Sequence, residues 1–345
     1  MMKVTGPVNP GRGSMAGRGS APDIVPAMSE AAHRGRESQS AGTVLMVRPA
    51  GFGFNPQTAS SNAFQQVAGS SGEAIALQSA VLREFDATAN ALQRAGVEVL
   101  VAEDSKEPQK PDAIFPNNWV SFHHDGTVAL YPLMAANRRT ERRQEILEYV
   151  VHAGAFHVSR TVDLTHRETQ EKYLEGTGSL VLDRAHRVAF ACSSPRTDLD
   201  VLGEFAQLLD YELMTFEAQD ASRRAIYHTN VMMAIGSDFA VVCGESIMNP
   251  EQRAGVFGRL RASGHEIIDI QASQMEQFAG NILQLATPQG PLIALSTTAL
   301  GSLSLAQRRS LESHATLAAA AIPTIERCGG GGVRCMLAEI HLPKR

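Results

Sequence analysis

A thiol, an imidazole and a carboxylate are the parts of a nucleophilic catalytic site, and this chain presents one of each at equivalent places of a repeated segment. Four stretches echo one another: PDAIFPNNWVSFHHDGTVALYP, LEGTGSLVLDRAHRVAFACSS, YHTNVMMAIGSDFAVVCGES and FAGNILQLATPQGPLIALST. Each opens on a polar residue and runs through two apolar β-type stretches joined by a turn. The opening residues are Asp112, Glu175, His228 and Asn281, and a late GGGGVRC adds Cys335; successive openings stand 63, 53, 53 and 54 residues apart. A period of this length signals one supersecondary unit copied several times, each copy delivering a different polar group to the same structural place. The chain therefore reads as an enzyme.

Gly329–Gly332 precede Val333, Arg334 and Cys335, so the backbone can turn tightly there and approach a ligand. Arg334 and nearby backbone N–H groups are placed to stabilise a thiolate. The loop lacks the Lys-Ser/Thr of a phosphate cradle. Cys328 and Cys335 have no Cys-x-x-Cys or paired-histidine spacing, so no metal site is expected. A lone histidine at a strand start is usually structural; His228 gains its weight from sharing a unit position with Glu175 and Cys335. His123-His124 falls at a hairpin tip and is expected to face solvent, whereas Cys192 and Cys243, inside apolar runs, are expected as buried core thiols.

The elements that position these residues follow from period and turn signals. TVLMVRP at 43–49 is a β-type run, 72–95 has helical spacing with Gly96 as its stop, and 97–103 is a strand. Later units pair NNWVSF with TVALYP across His-His-Asp-Gly, GSLVLD with RVAFACS, VMMAIG with FAVVCG, and ILQLAT with LIALST. Helices are expected at 139–153 and near 198–210, 250–262 and 304–320, with strands AFHVS, YELMTF and HEIIDI after the first three and CMLAEIHL closing the chain. Five ββαβ units in a row predict an α/β fold closed by pseudo-symmetric radial repetition, helices outside and polar openings converging on a central axis. In an ordinary two-layer α/β sheet the constant spacing would be coincidence.

With 43% apolar and 19% charged residues over 345, the chain can bury an ample core. A net charge of −5 matches nucleic acid poorly, and no apolar run reaches the length of a membrane span. Residues 1–42 are rich in Gly, Ser, Pro and Arg and are expected as a disordered tail before a single domain at 43–345. Four cysteines give no disulfide framework, which points to a reducing, cytoplasmic setting.

The segments PDAIFPNNW, EGTGS, HTNVMM and GGGGVRCM resemble the guanidino-group-modifying superfamily, which includes arginine deiminases, dimethylarginine hydrolases and glycine amidinotransferases. The resemblance covers about residues 43–345 and implies a five-bladed α/β propeller with Cys335 as nucleophile, His228 as acid and base, and Glu175 as the carboxylate. FPNNW…HHDGTVALYP…NRR…ERR most closely resembles the branch known as citrulline hydrolases. Arginine deiminases hold the guanidinium with two aspartates; the corresponding residues here are Asn118 and Asn230. A guanidinium offers only donors and a positive charge, which suits carboxylates, whereas a neutral ureido group carries an acceptor oxygen that suits an amide. The expected reaction is therefore citrulline to ornithine, ammonia and carbon dioxide through a covalent cysteine intermediate, without metal or organic cofactor. Asp112 is expected to bind substrate or brace its loop, and Arg138, Arg139 or Arg334 to grip the substrate α-carboxylate. The alternatives are hydrolysis of arginine or dimethylarginine, amidino transfer to an amine, and a non-catalytic propeller that binds an amino acid or a partner protein. The implied partner is a small amino acid, with no nucleic acid or membrane; enzymes of this kind are often homodimers.

Overall fold

The alternation of hairpin and helix signals is realised as five three-stranded groups of like plan, set in four sheets, in a computed structural model that describes residues 37–58 and 71–345. The strands are β1 (Thr43–Arg48), β2 (Glu98–Glu103), β3 (Val120–Phe122), β4 (Thr127–Leu130), β5 (Arg160–Asp163), β6 (Val181–Asp183), β7 (Val188–Cys192) and β8 (Glu212–Phe216). They continue as β9 (Met233–Ile235), β10 (Phe239–Val242), β11 (Glu266–Asp269), β12 (Leu283–Thr287), β13 (Gly290–Ser296), β14 (Thr316–Ala320) and β15 (Ala338–Ile340). In each group the first strand pairs antiparallel with the second and the second parallel with the third: β3-β4-β5, β6-β7-β8, β9-β10-β11 and β12-β13-β14. The fifth joins the two ends of the folded chain, with β15 antiparallel to β1 and β1 parallel to β2. β15 also pairs with β3 through Ile340 and Phe122, so two of the groups form one six-stranded sheet.

A parallel pair needs a crossover, and helices supply it: Ser71–Arg94, Gln144–Ala153, Leu199–Leu209, Pro250–Ala262 and Leu305–His314. The first strands of the units, β3, β6, β9 and β15, are buried throughout, as expected of segments covered on both faces. Trp119, Phe122, Phe156, Phe190, Phe205 and Phe239 fill the space between sheets and helices, each side chain contributing about 1.5–3 kcal/mol by leaving water. The result is a mixed α/β fold in which Glu37–Arg345 is one compact unit. Among the described residues no helix is long and apolar enough to cross a membrane.

Three expectations are corrected. Helical spacing near 304–320 is a helix only to His314; Thr316–Ala320 is strand β14, because β13 needs a parallel partner and that pairing overrides the helix preference of an alanine run. The strand expected at AFHVS begins later, at Arg160, after Ala155 takes a left-handed turn (φ 49). His123 is buried between Phe205 and Tyr211 with its Nε2 2.7 Å from Ser121 Oγ; only His124 is partly exposed, 3.2 Å from Glu37.

Of the tail expected at 1–42, residues 1–36 lie outside the described residues, and 37–42 belong to the fold. Gln39 donates to the carbonyls of Leu182 and Ile235, and Glu37, buried, pairs with Arg184 (3.0 Å) and Arg187 (2.7 Å).

Candidate active site

The unit plan puts Asn118, Glu175, His228, Asn230, Asn281 and Cys335 just before first strands, while Arg138 stands in the turn Ala136–Glu141 ahead of the helix Gln144–Ala153. Pro116–Asn118 is a one-turn helix ahead of β3, Glu175 stands before the turn Gly176–Ser179 and β6, His228 before Thr229–Met232 and β9, Asn281 before β12, and Cys335 in the turn Val333–Met336 before β15. All are buried. Glycines let these turns crowd together: Gly176 has φ +46, and a Cβ there would stand 2.3 Å from Asn117 O. A Cβ at Gly178 would stand 2.5 Å from Asn118 Nδ2 and 2.8 Å from His228 Nδ1, so the missing side chain leaves both nitrogens clear.

Asp112, Asn118, Arg138, His228 and Cys335 line one cavity together with Arg196, Tyr227, Phe115, Thr58 and Gly329–Gly331. It is narrow, about 20 Å³, the room a single water takes. Glu175, Asn230 and Asn281 stand behind this wall, touching the residues that form it.

His228 Nε2 lies 2.8 Å from Glu175 Oε2, and because a carboxylate only accepts, Nε2 carries the proton and Nδ1 is left bare. Burial lowers the imidazole to about 4, against the opposing pull of Glu175, so the ring is neutral at pH 7. Burial alone would raise Glu175; Arg196 (3.3 Å), the His228 N–H and Arg138 (3.8 Å) override it and hold the carboxyl well below the usual range. Its other oxygen accepts from the Met134 N–H. Burial pushes the Cys335 thiol above its ordinary value, opposed by the Asn281 side-chain N–H and the Arg334 charge. The resting pair is thus thiol and neutral imidazole.

Arg138 is fully engaged. It makes two 2.9 Å bonds to Glu141, donates from Nη1 to Asn118 Oδ1 (2.9 Å), reaches Phe115 O, and lies 3.7 Å from Asp112. Burial pushes the Glu141 carboxyl up to about 7, against the opposing charge of Arg138. The donor from Arg138 fixes the Asn118 amide with its oxygen toward the arginine, and Nδ2 is left with no partner among the described residues. Asp112 Oδ2 accepts from Asn55 Nδ2 (2.7 Å) and Asn230 donates to Thr177 O (3.1 Å), while Oδ1 of each has no partner among the described residues. Buried polar atoms without partners are rare; of these three residues Asn118 and Asp112 line the cavity, and Asn230 stands behind its wall. Arg334 does not come to the cavity: its guanidinium turns to Leu337 O and Glu339. Arg139 is occupied with the carbonyls of Leu133 and Met134 and with Glu168.

A family profile described as N,N dimethylarginine dimethylhydrolase, eukaryotic, matches residues 48–342. The chain belongs to that family. It is a cysteine-dependent enzyme of the guanidino-group-modifying superfamily. The fold is shared with solved structures of low identity. ArgZ, an arginine dihydrolase from the ornithine-ammonia cycle in cyanobacteria, aligns at 15% identity with a TM-score of 0.63 over 87% of this chain. This chain spans 40% of the full ArgZ chain and 99% of its N-terminal domain, which has been solved covalently bound to a reaction intermediate. AgrE aligns at 16% identity and TM-score 0.66, covering 88% of this chain and 40% of that one. A dimethylarginine dimethylaminohydrolase variant solved as an adduct with S-methyl-L-thiocitrulline aligns at 14% and 0.59, covering 87% of this chain and all of that one. No curated protein sequence matches the chain.

Three residues of the site were not assigned a role from sequence. Asn281 was visible as the opening of its unit, and its side chain reaches the cysteine sulfur at 3.2 Å. Arg196 sits over the Tyr227 ring at 4.9 Å, and Glu141 clasps Arg138 three residues away in sequence. Arg196 lay in SSPRTD, which was given no role, and Glu141 lay in the ERR of the resemblance and in the helix expected at 139–153, with no role of its own.

Proposed function

We propose that this enzyme hydrolyses citrulline to ornithine, ammonia and carbon dioxide, with Cys335 as nucleophile, His228 as proton carrier and Glu175 as its orienting carboxylate. The observation that carries the reading is the orientation of Asn118. Arg138 takes its oxygen, so the amide offers the cavity an N–H donor. A ureido oxygen accepts that donor; a guanidinium, which has only N–H groups, meets it donor to donor. Asp112 Oδ1 remains as an acceptor for a ureido N–H group, and Asn230, behind the cavity wall, has its Nδ2 3.8 Å from the thiol sulfur.

In the first half of the reaction the Cys335 sulfur attacks the ureido carbon as its proton passes to His228 Nδ1. The C–N bond breaks, the nitrogen leaves with that proton, and a thiocarbamate remains on Cys335. Water then attacks the same carbon, again giving its proton to His228. The C–S bond breaks to release a carbamate, which decomposes to carbon dioxide and the second amine. One water is consumed. Glu175, anionic, stabilises the imidazolium that forms in each half and is itself held by Arg196 and Arg138. Arg138 and Arg196 are the two cations that line the cavity for the substrate α-carboxylate, Arg138 while bonded to Glu141 and Asn118, and Arg196 while bonded to Glu175 and the Thr58 carbonyl. Arg334 serves through its charge beside Cys335.

The reading includes a five-bladed propeller at residues 43–345, supported by the five matched three-stranded groups and by the pairing of β15 with β1 and β3. It extends to a homodimer in a reducing cytoplasm, a setting in which four unpaired thiols are stable. A second reading, arginine plus two waters to ornithine, two ammonia and carbon dioxide, is favoured by Asp112, a carboxylate suited to a guanidinium. Citrulline labelled at the ureido carbon tests the proposal: labelled carbon dioxide should appear in step with ornithine, and its absence under turnover conditions would refute it.

A further inference from the structure

The position opening the fourth unit has a polar side chain that the reaction above does not use. Asn281 Nδ2 donates to the Asn230 carbonyl over 2.9 Å and to Cys335 Sγ over 3.2 Å. The first bond fixes the amide with its nitrogen toward the sulfur, since the carbonyl can only accept. Asn230 Nδ2 approaches the same sulfur at 3.8 Å, a weaker contact. The glycine run is shaped around this pair. A Cβ at Gly332 would stand 2.6 Å from Asn281 Oδ1, so the last of the four glycines is the one that lets the amide lie against the cysteine. The first and third glycines answer instead to Phe115, and Gly330 to its left-handed φ of +67.

We propose that Asn281 is a further catalytic residue, whose Nδ2–H stabilises the Cys335 thiolate before attack and holds the sulfur in position as the thiocarbamate forms and breaks. A sulfur this deeply buried, in a residue at 6% exposure, loses the water that would otherwise solvate its negative charge, and Arg334, whose charge acts on it, points its guanidinium elsewhere. A fixed N–H donor is what replaces that solvation, and unlike a lysine it costs no positive charge in a cavity that must also accept a cationic α-amine. The inference rests on Cys335 as the nucleophile but not on the identity of the substrate.

The test is the pH dependence of Cys335 alkylation by iodoacetamide, without substrate, followed by peptide mass spectrometry. A hydrogen bond to a charged group corresponds to roughly one to two pKa units, so Asn281→Ala should alkylate about 10- to 100-fold more slowly at pH 8, with its midpoint moved up accordingly. Asn281→Asp, of the same shape but carrying a carboxylate, should move the midpoint at least as far. Thermal unfolding identifies which variants are folded, and an unchanged midpoint in a folded variant overturns the proposal. The wild-type protein supplies a reading that needs no folded variant: the Asn281 side-chain amide resonances should shift with the Cys335 titration and stay still in Cys335→Ala. Amide resonances indifferent to the titration also overturn it. If Cys335 proved not to be the nucleophile, Cys335→Ala would retain turnover, an outcome separate from either result.

Discussion

Replacing Asn118 by aspartate changes one atom group and reverses what the cavity offers. Arg138 Nη1 lies 2.9 Å from Asn118 Oδ1, and the same arginine would pair with the aspartate, so the fold should hold and the melting temperature should not fall. The atom facing the cavity would become an oxygen in place of Nδ2, which has no partner among the described residues. A bound ureido oxygen would lose its donor and meet an acceptor instead. An unsatisfied buried acceptor costs about 1–3 kcal/mol, and the acceptor–acceptor contact puts the total at the upper end, so kcat/KM for citrulline should fall on the order of 100-fold. A guanidino substrate would gain a charge-assisted bond at the same place, so the ratio of arginine to citrulline turnover should rise by more than that factor. Ornithine and ammonia release, measured for wild type and Asn118→Asp on both substrates, gives the ratio directly. A ratio that does not move, in a variant of unchanged stability, would refute the reasoning from the amide's orientation.

Four further outcomes follow from the same geometry. Cys335→Ser should abolish turnover with citrulline while leaving the unfolding transition close to wild type; retained turnover would show that the thiol is dispensable. Glu175→Gln removes the partner of His228 and of two buried arginines, so activity should fall at least 100-fold and stability by about 3–5 kcal/mol, read from kcat and urea unfolding. Gly176→Ala forces a side chain into a φ of +46 and within 2.3 Å of Asn117 O, and should destabilise by more than 1 kcal/mol in the same assay. His228 is held down to about 4 from an ordinary 6.5, so between those values the unfolded chain binds a proton that the fold does not. Stability from this group is therefore complete above pH 6.5 and is lost as pH falls toward 4, by at most about 3 kcal/mol; urea unfolding against pH should show that slope, and His228→Gln should flatten it.

Much of this was legible because the repeat writes the same element plan five times. Asp-Gly at 125–126 fixed one hairpin, Gly96 ended the first helix, and the constant spacing of Glu175, His228, Asn281 and Cys335 placed four side chains at equivalent points before any coordinates. What spacing cannot carry is which way a side chain turns. Arg334 adjoins Cys335 in sequence yet points to Glu339, while Arg196, unmarked in its turn, lines the cavity. His123 sat where a hairpin tip should be exposed, but Phe205 and Tyr211 close over it, a contact between segments about 80 residues apart. The strand at Thr316–Ala320 was hidden for a similar reason: alanines prefer helix locally, and only the edge of β13 decides otherwise. Residues 37–42 read as tail by composition, whereas the buried pairing of Glu37 with Arg184 depends on a partner 147 positions away.

The most direct test of the central claim is the specificity of the wild-type enzyme, with citrulline, arginine and dimethylarginine compared side by side for ornithine, ammonia and carbon dioxide. The donor set around Asn118 predicts the highest kcat/KM for citrulline, with ornithine, ammonia and carbon dioxide formed in equal amounts. Turnover of arginine or dimethylarginine without any action on citrulline would contradict it.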